Sequence, residues 1–185
     1  MKPRHSHCHH CGAAYSEPLG DFPRACIDCG AMVWANPTPV SVLLVPVRHD
    51  DRVGLLVIRR GHAPEEGKLA LVGGYVEDHE TWQQGGAREV LEETGVVVDA
   101  ADVEPLWFDS TDPKPNRVLL FGATKEVDAS TFPAHDEHNA ECPARGAIFG
   151  PEGLEDVFAF PLHIEAAKRF FASREVTGGH EFTEL

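Results

Sequence analysis

The chain has 185 residues, 42% apolar and 25% charged, which suits one globular domain with a small appendage and excludes wholesale disorder. A formal net charge of −14 excludes broad affinity for bulk nucleic acid or an anionic membrane, because phosphate binding relies on clustered Lys and Arg. No apolar run reaches the roughly 20 residues that span a bilayer, and MKPRHSHCHHCG carries no secretory-type apolar segment, so a cytoplasmic protein is expected.

Residues 1–35 hold four of the five cysteines and few apolar side chains, so a small stapled unit is expected there, followed by a main domain over 36–185. VSVLLVPV (40–47) and RVGLLVIRR (52–60) are β-branched runs joined by RHDD, which predicts an antiparallel hairpin. GHAPEEGKLALVG (61–73) reads as a Gly/Pro-punctuated loop ending in a short apolar stretch. Helix signals cover 81–94, with Gly95 as the stop. VVVDA, VEPLWF (103–108) and NRVLLFGATKEV (116–127) read as strands, residues 128–141 as a polar loop, and AIFG as a last short strand. PLHIEAAKRFFAS (161–173) has helical spacing at Ile164, Ala167, Lys168 and Phe171. Strands around an internal and a terminal helix predict an α/β sandwich.

Cys8-His-His-Cys11-Gly and Cys26-Ile-Asp-Cys29-Gly are two matching knuckles separated by fourteen residues. Zinc takes four tetrahedral N or S ligands, and two such turns supply two thiolates each. Each following glycine permits a positive φ beside the metal. Two disulfides or free thiols are the alternative, disfavoured given a reducing compartment. Four protein ligands leave no open coordination position, so the reading is a structural zinc ribbon, with His5, His7, His9 and His10 read as solvent-exposed neighbours ahead of the alternative that one replaces a cysteine ligand. Cys142 stands alone and reads as a small packed residue.

At about 100° per residue, Glu89, Glu92 and Glu93 share one arc of the helix, while Ala87, Val90, Leu91 and Thr94 occupy another that would face the sheet. Like charges at such spacing weaken a helix by a few tenths of a kcal/mol per pair, a cost that disappears if Mg2+ sits between them. Gly85 and Gly86 cost about 1 kcal/mol each against Ala inside a helix, which predicts that a facing loop or a ligand approaches there. A merely solvated acidic face is the competing reading.

From Gly74 the chain reads glycine, five residues, Glu80, seven residues, Arg88-Glu89-Val90-x-Glu92-Glu93-x-Gly95-Val96. This resembles the Nudix box at every defined position across its twenty-three residues. The resemblance implies a Nudix-type α/β/α sandwich with a mixed sheet, preceded here by the zinc ribbon. It implies hydrolysis of a nucleoside diphosphate linked to another moiety, by water attack at phosphorus, with Mg2+ or Mn2+. It assigns Glu89, Glu92, Glu93 and the Gly74 carbonyl as metal ligands, one glutamate also serving as a base. Arg88 and Glu80 would orient those glutamates. In some subfamilies the base comes from a later loop, which makes Glu137 and Glu141 candidates beside the reading of an ordinary polar loop.

A ribbon running into Trp34-Ala35-Asn36-Pro37 is similar to a group acting on FAD or ADP-ribose. The NADH pyrophosphatases carry a Ser-Gln-Pro-Trp motif after the box, where this chain reads LWFDSTDPKPNRVLLFGA. The leading expectation is therefore a small dinucleotide substrate, FAD or ADP-ribose. NADH or NAD, or a nucleotide sensor with a partner-binding ribbon, are the alternatives. Trp107, Phe108 and Phe121 would stack on a substrate ring or lie in the core. Leu69 and Val72 stand where the family has Trp and Pro before the box. Many family members dimerise, so a homodimer is an assembly the resemblance allows.

Overall fold

The computed structural model describes residues 5–16, 21–112, 116–136 and 139–185. Two compact units divide between Pro37 and Thr38. In the first unit β1 (Arg24–Ala25) pairs antiparallel with β2 (Met32–Val33), and Cys8, Cys26 and Val33 are buried together.

The second unit is built on a mixed sheet in the order β11-β10-β5-β6-β3-β8-β7. Its strands are β3 (Thr38–Leu44), β4 (Pro46–His49), β5 (Arg52–Arg59), β6 (Leu69–Tyr75), β7 (Glu104–Ser110), β8 (Arg117–Ala123), β9 (Val127–Asp128), β10 (Ala144–Ile148) and β11 (Phe182–Glu184). The helices are α1 (Trp82–Thr94), the single turn α2 (Leu154–Val157) and α3 (Pro161–Ala172). β3 runs parallel to β8 and antiparallel to β6.

The central strands are mostly apolar along their buried lengths, with Ser41 of β3 the polar exception, because both faces are covered. Val42, Leu44, Leu55, Val57, Leu69 and Leu71 pack with Ala166, Ala167, Phe170 and Phe171 of α3. Their neighbours Leu43, Val45, Leu56, Ile58, Ala70 and Val72 pack with Val90 of α1 on the opposite face. The period of two along each strand thus assigns alternate residues to two cores, as expected for an α/β/α sandwich.

Several elements differ from the sequence reading. The run 40–47 is two strands: β3 pairs with β6 and β8, and only β4 makes the hairpin with β5. The apolar end of the 61–73 loop is the central strand β6, which pairs with β5 through Leu69–Leu71 and with β3 through Val72–Tyr75. Leu69 and Val72 are therefore core residues, one on each face of the sheet. VVVDA is not a strand; it leads into a 3-10 turn, Ala100–Asp102, capped by the Asp99 carboxylate on the Ala101 N–H. Leu91 is 49% exposed, because α1 meets the sheet through Gly85, Gly86, Val90 and Thr94, and one further residue turns about 100° away.

α3 also closes a gap in the backbone ledger. The Leu71 N–H donates to Nδ1 of His163, at 3.1 Å, and the imidazole is buried. That nitrogen accepts only while deprotonated, and burial followed by the charge of Arg60 pushes the His163 pKa down to about 3. The folded value lies below the unfolded value of about 6.5, so this stabilisation is complete above that pH and is lost as pH falls toward 3. Urea unfolding should therefore show stability falling between pH 6.5 and 5 in the wild type. His163→Gln should be less stable at neutral pH and flatter across that interval; equal slopes would refute this role.

Candidate functional site

The two cysteine knuckles have the same local wiring. The Cys8 N–H donates to the Ala13 carbonyl and Gly12 N–H to the Cys8 carbonyl; Cys26 N–H donates to Ala31 and Gly30 N–H to Cys26. Gly12 and Gly30 turn the chain at φ 76° and 75°, which only glycine adopts without strain. The four sulfurs lie within 4.8 Å of one another, Cys8 to Cys29 at 3.9 Å and Cys11 to Cys26 at 3.7 Å. Disulfides need about 2.05 Å. A zinc tetrahedron with bonds of about 2.3 Å has edges of roughly 3.8 Å, so the cluster fits that ion. The backbone amide of Cys11 leads the effects holding the Cys8 thiol down to about 6. Neighbouring sulfurs and burial push Cys11 up to about 12 and raise Cys29, against their own backbone amide bonds, so four thiolates together require a cation. Protein purified without chelators should contain about one zinc per chain by elemental analysis. Cys8→Ser should lower that content, and a metal-free wild type with an intact first unit would contradict the assignment.

The glutamate cluster is positioned by α1. Thr81 caps the helix by accepting from the Gln84 N–H, Gln84 returns the bond to the Thr81 N–H, and Gly95 ends the helix at φ 71°. The paired glycines answer to close neighbours. A Cβ at Gly86 would lie 2.5 Å from Ser41 Oγ, and one at Gly85 would lie 2.7 Å from Glu80 Oε1. Gly86 thus seats the helix on β3, and Gly85 admits the carboxylate of Glu80. A Cβ at Gly74 would meet Glu89 Oε1 at 2.2 Å, so the carboxylate rests on the bare end of β6.

Arg88 organises the acidic side. Its Nε and Nη2 donate to Glu80 at 3.1 and 2.8 Å, its Nη1 to Glu89 and to Glu92 at 2.9 Å each, and its Nη2 also to the Tyr75 carbonyl at 3.0 Å. That contact holds the Glu80 pKa below the usual carboxylate range. Glu93 points elsewhere: the Gly73 N–H donates to one oxygen at 3.0 Å and the Cys142 thiol to the other at 3.6 Å. Burial pushes Glu93 up to about 8, against the Gly73 bond, and the charges of Glu89 and Glu141 add to the rise. Burial likewise raises Glu89, against the Arg88 bond. Among the described residues no cation reaches ion-pair distance of Glu93.

Glu141 is brought to this cluster, where its charge acts on both Glu89 and Glu93. Asn139 secures it there: its side-chain amide donates to the Glu92 carbonyl, while its Oδ1 accepts from the Glu141 and Cys142 N–H groups. Gly61 N–H holds the Glu141 carbonyl from β5's end. Glu137 lies outside the described residues. Cys142 is buried, as read, but its bond to Glu93 had no signal in the local sequence.

The aromatic candidates divide. Trp107 and Phe121 stack on each other at 4.0 Å and 6°, with the Arg169 guanidinium 4.4 Å from the Trp107 ring centre. Phe121 is 1% exposed, so the ring face reserved for a ligand is taken by Trp107 and by the core; Phe108 is 72% exposed.

A 94-residue stretch is 31% identical to the NAD-capped RNA hydrolase NudC of Haemophilus influenzae, covering 51% of this chain and 35% of that protein. The same figures hold for NudC of Escherichia coli, so the match spans about a third of these curated relatives. In fold, the chain resembles a NUDIX hydrolase from Nitrosomonas europaea (TM-score 0.67, 24% identity, 92% of each chain covered). It also resembles the NUDIX domain of Shewanella oneidensis NrtR complexed with ADP ribose (TM-score 0.61, 17% identity, 77% of this chain and 91% of that one). Residues 37–170 match the family model of the NUDIX domain, and the chain belongs to that family.

Proposed function

We propose that the chain is a divalent-cation-dependent hydrolase that splits a nucleoside diphosphate linked to another moiety. The observation that carries this reading is a set of carboxylates short of positive charge. Arg88 spends its guanidinium on Glu80, Glu89, Glu92 and a carbonyl, while Glu89 and Glu93 remain shielded from water beside Glu141. Hard carboxylate oxygens suit Mg2+ or Mn2+, and Glu89, Glu92, Glu93 and the Gly74 carbonyl would hold the ion. When bound, it would neutralise the diphosphate and acidify a neighbouring water.

The chain's own side chains supply the rest. Arg88 keeps Glu89 and Glu92 turned to one side, and the Gly73 N–H and Cys142 thiol fix the Glu93 rotamer. Glu93 or Glu141 takes the proton from the attacking water; at Glu93, burial and then the charges of Glu89 and Glu141 favour proton uptake. The four-cysteine unit would hold a structural zinc with no open position for chemistry.

FAD or ADP-ribose is the finer reading of the substrate, supported by the ribbon leading into Trp34-Ala35-Asn36-Pro37 and by a post-box segment without Ser-Gln-Pro-Trp. NAD-linked substrates form a second reading, favoured by the named activity of the curated relatives. A panel of FAD, ADP-ribose, NADH, NAD, diadenosine polyphosphates and dNTPs with Mg2+ or Mn2+ separates them. AMP and FMN from FAD support the first, and AMP and NMN from NAD the second. Glu92→Gln, whose side chain is 57% exposed, should fold normally and lose about 100-fold in turnover. Nucleotide binding without turnover of any substrate would instead make the protein a sensor.

A further inference from the structure

β8 opens with Arg117, whose Nε and Nη2 both donate to the phenol oxygen of Tyr75, at 3.0 and 2.8 Å. The chain holds 30 Asp and Glu against 16 Lys and Arg. Arg48, Arg52, Arg88 and Arg169 each take a carboxylate partner, yet among the described residues none lies within ion-pair distance of Arg117. Arg59, Arg60 and Arg174 also lack a carboxylate but donate to carbonyls of nearby residues, whereas Arg117 reaches across to one neutral hydroxyl on another strand.

The donor arithmetic gives that arrangement a direction. A phenol oxygen has two lone pairs and one proton. With two N–H groups already directed at its lone pairs, the Tyr75 hydroxyl is left to donate. A guanidinium carries five N–H groups, two of which are spent here, leaving three. The pair therefore presents donors and no acceptor, which suits the oxygens of an anion.

Its placement ties it to the glutamate cluster. The Tyr75 carbonyl accepts from Arg88, so one residue meets the cluster's arginine at its backbone and Arg117 at the tip of its ring. The side-chain position of Gly74 faces Glu89, and alternation along β6 sends Tyr75 to the other face of the sheet. Register places Tyr75 opposite Val40, Val40 opposite Leu119, and Phe121 opposite Trp107, so Arg117 and Tyr75 share the face that carries Trp107. The start of β8 is fixed by reciprocal bonds with Thr111, at 3.1 Å each, so the guanidinium springs from a strand end held to the segment that follows β7.

We propose that Arg117 and Tyr75 form an anion-recognition pair that binds a phosphoryl group of the substrate around the end of β6 from the glutamates. The inference rests on the diphosphate reading above and assigns the pair a part in binding, not in bond cleavage. Uniform binding of ground and transition states appears in KM and leaves kcat in place. On whichever panel compound the wild type hydrolyses, Arg117→Gln should raise KM about tenfold or more with kcat within about threefold. Tyr75→Phe should raise KM less. Arg117→Lys should fall between, because a point charge replaces a fork. An unchanged KM in Arg117→Gln, or a fall in kcat alone, overturns the proposal.

A second arm is independent of turnover: calorimetric titration of inorganic pyrophosphate into wild type and Arg117→Gln, with Mg2+ present. Weaker binding in the variant at an unchanged melting temperature supports the pair, and equal affinity refutes it. A wild type that hydrolyses nothing removes the proposed activity, and the pyrophosphate titration then decides the pair by itself. If Arg117→Gln melts early, Arg117→Lys is read in both arms by the same criteria.

Discussion

Arg88 is the tie on which the acidic end of this molecule depends. Five hydrogen bonds from one guanidinium join the loop carboxylate of Glu80, the helix carboxylates of Glu89 and Glu92, and the backbone of β6 at Tyr75. Charge-assisted bonds of this kind are stronger than neutral ones, and the planar fork fixes directions as well as distances. The arrangement answers why so many glutamates surround a single arginine. Three are held by it, and the fourth, Glu93, is left beneath the cluster with a backbone amide and a thiol.

Such crowding is possible only because atoms are missing where the pieces meet. Gly74, Gly85 and Gly86 lack the Cβ atoms that would strike Glu89, Glu80 and Ser41. The helix gives up about 1 kcal/mol at each interior glycine and gains a close seat on β3 and room for a buried-edge carboxylate. Packing, electrostatics and sequence pattern are one constraint here: the glycines let the charges approach, Arg88 sets their direction, and burial keeps Glu89 and Glu93 short of compensation.

The features legible in the sequence were those written locally. The α1 boundaries follow from Thr81 and Gly95, and the cysteine knuckles from spacing plus a glycine with positive φ. The glutamate arc follows from helical geometry, and the mixed two-faced sheet from the family resemblance. What was not legible depends on partners distant in the chain. β6 looked like a loop because its glycines and the preceding Gly/Pro segment mask a strand that is central only once β3 and β5 flank it. The run over 40–47 shows no break, yet its two halves pair with different strands. Stacking of Trp107 on Phe121, attachment of Asn139 to the Glu92 carbonyl and pairing of Arg117 with Tyr75 join residues with no shared motif.

The account turns on the claim that Glu89, Glu92 and Glu93 together lack a positive charge that a divalent cation supplies. Electron paramagnetic resonance titration of Mn2+, without substrate, tests it most directly. The wild type should bind the ion, and Glu93→Gln, which keeps the shape of the side chain and removes its charge, should bind at least about tenfold more weakly. Equal binding by the two proteins, with both folded, would contradict the account.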